Sequence, residues 1–125
     1  MTGAELLDTT LLLARRARIL LDDDGLKIRQ FTALRTLASS PLRVGELAQA
    51  VEVRTPSAVA LVDSLVERGF ARRRPDMHDG RVSVVELTPA GRRILRRAEH
   101  RLVEAFDEIA ASVELVPPAD LVRAP

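Results

Sequence analysis

The chain contains no cysteine. Disulfides, thiolate metal sites and cysteine-based redox sensing are thereby excluded for these residues, and the composition suits a reducing compartment. An uninterrupted apolar run of the roughly 18 residues needed for a membrane-spanning helix is also missing. The opening "MTGAELLDTTLLLARRARIL" carries Glu5 and Asp8 where a secretory leader would be basic. A cytoplasmic protein without membrane contact is the expectation. Internal repeats and low-complexity tracts are absent, as are a glycine-rich phosphate loop, a metal-binding helix motif and any nucleophile–base pairing. No enzymatic activity and no cofactor are expected. Lysine is nearly absent too: all but one of the 19 basic residues are arginine, the type that grips phosphates and base edges with two donors at once.

The 125 residues fit a single domain, 1–125. Their formal charge of +1 hides an uneven distribution. Residues 1–52 are balanced, residues 53–101 carry a net +5 and residues 102–125 a net −4. Such a split points to a basic working surface on the middle segment, with the acids kept away from it.

Leucines at Leu6, Leu7, Leu11, Leu13, Leu20 and Leu21 predict a long amphipathic helix ending at "DDDG", Asp22–Gly25. A second helix is predicted in "LKIRQFTALRTLA", with Ile28, Phe31, Leu34 and Leu37 on one face and Ser39, Ser40 and Pro41 as its stop. "PLRV" is extended, and "GELAQAV" gives a two-turn helix with Leu47, Ala48 and Val51 inward. Thr55 as cap and Pro56 at the first helical position open a fourth helix, which should bury Val59, Val62, Leu65 and Val66 and end at Gly69. Then the period changes. "FARRRP" and "RVSVVEL" are β-leaning runs joined by "DMHDG", a predicted hairpin. Thr88 and Pro89 repeat the cap-and-proline signal, and a long helix runs through Leu95, Leu102 and Phe106 until Pro117 and Pro118 stop it. "ADLVRAP" reads as the start of one more helix.

Helix, helix-turn-helix, hairpin is the order of a winged helix-turn-helix: a mainly α fold with a small β-hairpin, flanked by long N- and C-terminal helices. In that motif the second helix of the turn enters the major groove. Here positions 57, 61, 64 and 68 are expected on its outer face, and they read Ser57, Leu61, Ser64 and Arg68, with Ala60 beside them. Small and hydroxylic residues allow close approach, and Leu61 is suited to a thymine methyl. The free amides at the helix start suit a phosphate. Arginines on the hairpin tip are positioned to follow the DNA backbone and reach the adjacent minor groove.

Asp79-Gly80-Arg81, five residues, then Leu87-Thr88 match a D-x-R-x5-L-T wing signature in all four fixed positions. With "QFTALRTLA", "VGELAQAVEVRTPSAVALVDSLVERGFARR" and "LTPAGRRIL" around it, residues 5–115 resemble the MarR (multiple antibiotic resistance regulator) family. The resemblance implies a bacterial, dimeric transcription factor, usually a repressor, that binds a pseudo-palindromic operator on double-stranded DNA and is released by a small aromatic or phenolic ligand. It implies a DNA-binding region over 26–88 and dimerisation helices over 1–24 and 89–125. The candidate DNA contacts are Arg54, Thr55, Ser57, Ala60, Leu61, Ser64, Arg68, Arg73, Arg74, Gly80 and Arg81, with Asp76 and Asp79 orienting the wing. Relatives often carry a threonine and a basic residue at the positions of Ala60 and Leu61, and a basic one at Gly80, so this reading face is poor in donors.

Two other readings use the same residues. Asp76, His78 and Asp79 are suitable metal ligands by type, but three ligands on a hairpin tip, with His100 far along the chain, make a poor cage. A winged-helix module that binds another protein through its apolar helices, without specific DNA recognition, is the alternative to DNA binding. Salt separates them, because phosphate contacts weaken steeply with ionic strength and leucine contacts do not.

Overall fold

Thr2 starts the first helix with a reciprocal cap. Its hydroxyl accepts the Glu5 amide at 3.1 Å, and the Glu5 carboxylate accepts the Thr2 amide at 2.9 Å. The structure, a computed structural model, describes residues 1–111. Its elements run α1 (Gly3–Asp23), α2 (Ile28–Ser39), α3 (Val44–Ala50), α4 (Thr55–Glu67), β1 (Ala71–Pro75), β2 (Ser83–Leu87) and α5 (Pro89–Ala110). This is the expected winged helix-turn-helix. The expected stop at Pro117 and Pro118 and the further helical turn over "ADLVRAP" lie outside the described residues.

Caps and turns explain most boundaries. Thr88 accepts the Gly91 amide at 3.0 Å ahead of Pro89, so α5 starts where the sequence signals it. Gly69 ends α4 at a φ of +77°, a conformation that favours glycine. The start of α4 differs from expectation. Arg54 occupies the cap position with extended backbone and makes no side-chain cap, while Thr55 is already helical. The Val53 amide closes the preceding turn on the Ala48 carbonyl at 3.0 Å, with Glu52 at a φ of 57°, and brings the helix in one residue early.

The core gathers Leu21 from α1, Leu34 and Leu37 from α2, Leu47 from α3, Val62 and Leu65 from α4, Val85 from β2, and Leu95 and Leu102 from α5. The inward stripe of α4 is not the expected valine row. Ala58, Val62 and Leu65 are fully buried, Val66 is half-buried, and Val59 stands 40% exposed. One residue along an α-helix is a rotation of about 100°. The Gln30 amide donates to the Ser64 hydroxyl at 3.2 Å, which holds that flank of α4 against α2 and turns Val59 outward. Ile28, expected on the inner face of its helix, is likewise exposed.

The strands pair antiparallel with Arg73 opposite Val85, and Leu42 adds a short bridge whose two hydrogen bonds to Val85 measure 3.0 and 2.7 Å. Of "PLRV", only Leu42 joins the sheet, as a single bridge, and Val44 already begins α3. Across the hairpin, Glu86 takes Arg72 Nε at 2.7 Å and Arg74 Nε at 2.8 Å on separate oxygens. These bonds, Arg74's first and Arg72's second, hold the Glu86 carboxyl below its usual range. A carboxyl depressed in the folded state stabilises above its unfolded pKa, and that gain is lost as pH falls through the folded value. Glu86→Gln is expected to cost up to about 1 kcal/mol at pH 7 and nothing at a pH below the folded value, read from urea unfolding at both pH values.

Gly91 fixes how α5 leaves the hairpin. A Cβ there would lie 2.0 Å from the Phe70 carbonyl oxygen, which accepts the Thr88 amide at 3.1 Å. Only a residue without Cβ lets the helix rest on that backbone. Gly91→Ala should destabilise by about 1–3 kcal/mol, whereas Gly45→Ala, with nothing within 4 Å of its new methyl, should stabilise by up to about 1 kcal/mol. Thermal unfolding of the two variants checks the contrast.

Candidate nucleic-acid interface

The rotation of α4 decides which side chains it presents. Its outward row is Pro56, Val59, Ala60, Asp63 and Glu67, with Thr55 and Ser57 exposed at its start. Leu61, expected outside, is half-buried and packs against the core. Ser64 faces inward as well, donating to the Leu61 carbonyl at 2.6 Å while accepting from Gln30. Arg68 leaves the face altogether. Its guanidinium donates to the carbonyls of Gly25 and Asp24 and lies over the Phe70 ring, 4.8 Å from the centroid. The outward row thus holds two acids, no cation and three apolar residues.

The cations come from the hairpin and the turn. Arg73 of β1 bonds Asp63 of α4, so strand and helix share one face at that point. Arg74 is tied to Glu86 and to the Pro75 carbonyl. At the tip, Asp76 accepts the amides of His78 and Asp79 at 3.2 and 3.1 Å and donates its own amide to Val82, which closes the turn. Asp79 accepts both the amide and the Nε of Arg81 at 3.1 Å. The Arg81 guanidinium bond, then the Arg81 amide, then the charge of Arg43 hold the Asp79 carboxyl below its usual range. Arg81 nonetheless remains 92% exposed. Gly80, where a Cβ would meet nothing within 4 Å, leaves that side of the tip unobstructed, and it lines one shallow depression with Arg73, Arg74 and Arg81.

Arg43 is the residue that sequence reasoning did not single out. It lies ahead of α3 and lines an open groove with Gln49, Arg54 and Thr55, between the two helices of the turn. Leu42, the residue before it, bridges Val85 of β2, so Arg43 follows directly on the hairpin. The available signal was a lone arginine in "PLRV", read only as part of an extended piece.

At the end of α1, the Asp24 side chain is 3% exposed and holds Arg97 Nε and Arg101 Nη1, both at 3.2 Å, while Asp23 takes Arg101 Nη2 at 2.7 Å. Bonding to Asp23, followed by the charge of Asp24, raises the pKa of Arg101 further. Glu99 of α5 meets Arg35 of α2 at 3.2 Å. That pair rims a cleft of about 180 Å³ between α2 and α5, lined also by Phe31, Leu102, Val103 and Phe106.

Among the described residues no three His, Asp or Glu side chains converge on a point that could hold a metal. No described helix is long and apolar enough to cross a membrane. What remains is an exposed helix face flanked by guanidinium groups on two sides, the arrangement that suits a duplex.

Comparison with known proteins agrees. The model of the MarR family matches residues 24–82. The chain is 30% identical over 111 residues to the helix-turn-helix transcriptional regulator YpoP of Bacillus subtilis, covering 81% of this chain and 79% of the relative. Among solved structures it is similar to the transcriptional regulator BldR of Sulfolobus solfataricus, with 27% identity, a TM-score of 0.76, and coverage of 98% of this chain and 93% of that one. It shares the fold of CouR from Rhodococcus jostii, solved with p-coumaroyl-CoA, at 24% identity and a TM-score of 0.79 over 97% of this chain and 84% of that one. The chain belongs to the MarR family of winged helix-turn-helix, DNA-binding transcriptional regulators.

Proposed function

We propose that the chain acts in the cytoplasm as a dimeric repressor whose two heads, residues 26–88, grip a pseudo-palindromic operator. In this reading α4 lies in the major groove, with Thr55, Ser57 and Ala60 nearest the bases and Arg54 on the backbone, while Arg73, Arg74 and Arg81 follow the neighbouring phosphates and minor groove. The observation that carries it is the bond between Arg73 and Asp63, which supports a single shared face for wing and helix. Leu61, Ser64 and Arg68 support that face from behind. Asp76 and Asp79 shape the turn that carries Arg81.

The internal pairing of the wing arginines is compatible with this role. Exposed ion pairs contribute only about 0.2–1 kcal/mol each, so a phosphate displaces the Asp79 carboxylate from Arg81 readily, while Arg73 keeps Asp63 on Nη2 and has its other nitrogens for a phosphate, and the release of condensed counterions from DNA favours the exchange. The dimer reading rests on α1, which leaves Leu7, Leu11, Leu12 and Ile19 exposed, and on Val103 of α5. Patches of this kind mark association surfaces. Val103 also rims the cleft between α2 and α5, so a second copy seated there would add walls to it. Two phenylalanines and Arg35 suit a flat aromatic acid, and the p-coumaroyl-CoA held by CouR likewise carries a phenolic ring.

Arg81→Ala should weaken binding to an operator duplex and make the slope of log K against log salt shallower by about 0.9, one phosphate contact; an unchanged titration would remove the wing from the interface. The wild-type protein should sediment as a dimer at micromolar concentration, and the pair Leu7→Asp and Leu11→Asp as a monomer. A monomeric wild type would overturn the assembly.

A further inference from the structure

We infer that sequence choice by α4 is made by Val59 and Asp63, with Val59 meeting a thymine methyl and Asp63 accepting the N4 amine of a cytosine, and with Arg73 as the positioning partner of Asp63. This rests on the reading above that α4 occupies the major groove.

Three observations carry it. Val59 is the largest apolar side chain on the outward row, 40% exposed between the buried Ala58 and Val62. Its row neighbours Pro56 and Ala60 are small and apolar, so they permit close approach of Val59 to a base edge. Asp63 is the second observation. A lone carboxylate carried toward a duplex would be repelled by the phosphates, but Arg73 neutralises this one through Oδ1. No described residue bonds Oδ2, and the side chain is 61% exposed, so that oxygen is open to a donor.

The chemistry of the groove then selects the base. Only cytosine N4 and adenine N6 offer donors there. Adenine itself sets its N7 acceptor beside that donor, which opposes a carboxylate, whereas cytosine flanks its amine with C5–H, which does not. Guanine offers two acceptors to a row that has no cation. Spacing is the third observation. Residues four apart on a helix are separated by about 6 Å along its axis, close to two base steps of about 3.4 Å each. The thymine read by Val59 and the cytosine read by Asp63 should therefore fall within about two steps of each other.

Selection from randomised duplexes, sequenced for the wild type and for Asp63→Asn, tests this. The wild type is expected to fix a thymine and a cytosine at that spacing in each half-site. Asp63→Asn should change the cytosine position toward adenine, because an amide pairs with N6 and N7 together. Replacing the selected thymine by deoxyuridine, which removes only the methyl, should weaken wild-type binding about three- to tenfold and leave Val59→Ser unaffected. That change is made on the DNA, so it tests the contact even where a variant folds poorly. Duplex binding without base preference, or an Asp63→Asn selection identical to the wild type's, would overturn the inference while leaving DNA binding intact. Failure of the wild type to bind any duplex would overturn both readings.

Discussion

The buried carboxylate of Asp24 is the point on which the arrangement of the molecule depends. It terminates α1 and clasps Arg97 and Arg101 of α5, and the carbonyls of Asp24 and Gly25 in the same turn receive Arg68 from the end of α4. Three guanidinium groups from two helices thus converge on one turn. A buried charge that loses its partners costs about 3–5 kcal/mol, so the long helices and the reading helix keep one relative placement or lose this contact. Gly91 completes the constraint from the other side by letting α5 rest on the Phe70 backbone. The long helices, with the exposed apolar residues of α1, and α4, with its outward row, are therefore joined around the C-terminal end of α4.

Charge is used differently on the two sides of that joint. Behind the head, cations hold a carboxylate that solvent barely reaches, and salt screens such contacts little. On the wing, Arg72 and Arg74 share the mostly buried Glu86 carboxylate, while Arg81 bonds the more exposed Asp79, which restrains it without holding it firmly. Arg92 and Arg93 lie in the first turns of α5, where the helix dipole disfavours cations, and Asp107 and Glu108 lie in its last turns, where it disfavours anions. Helix stability does not account for that polarity, and it leaves the basic end of α5 nearest the head.

Much of this was legible in the sequence. Thr88-Pro89, Gly69 and the switch from helical to alternating period mark real boundaries, because caps and turn glycines act through the local backbone. The signature from Asp79 to Thr88 identified the hairpin for the same reason. The outer face of α4 was not legible. Ala58, Val59, Leu61 and Val62 make that helix apolar nearly all round, and side-chain size favours the wrong rotation; Gln30, distant in sequence, sets the true one through Ser64. Arg68 was misplaced for a related reason, since its partners Asp24 and Gly25 are more than 40 residues away. Arg43 was missed because its relation to the wing exists only once Leu42 pairs with Val85.

The central claim is that α4 and the hairpin meet a duplex together on one side of the head. Amide and arginine Nε resonances followed by NMR during titration with a short duplex test it directly. Shifts are expected over residues 54–63, at Arg43 and over residues 73–83, with the Arg81 Nε signal moving as Asp79 gives way to phosphate. Shifts confined to the apolar faces of α1 and α5, with the hairpin silent, would contradict it.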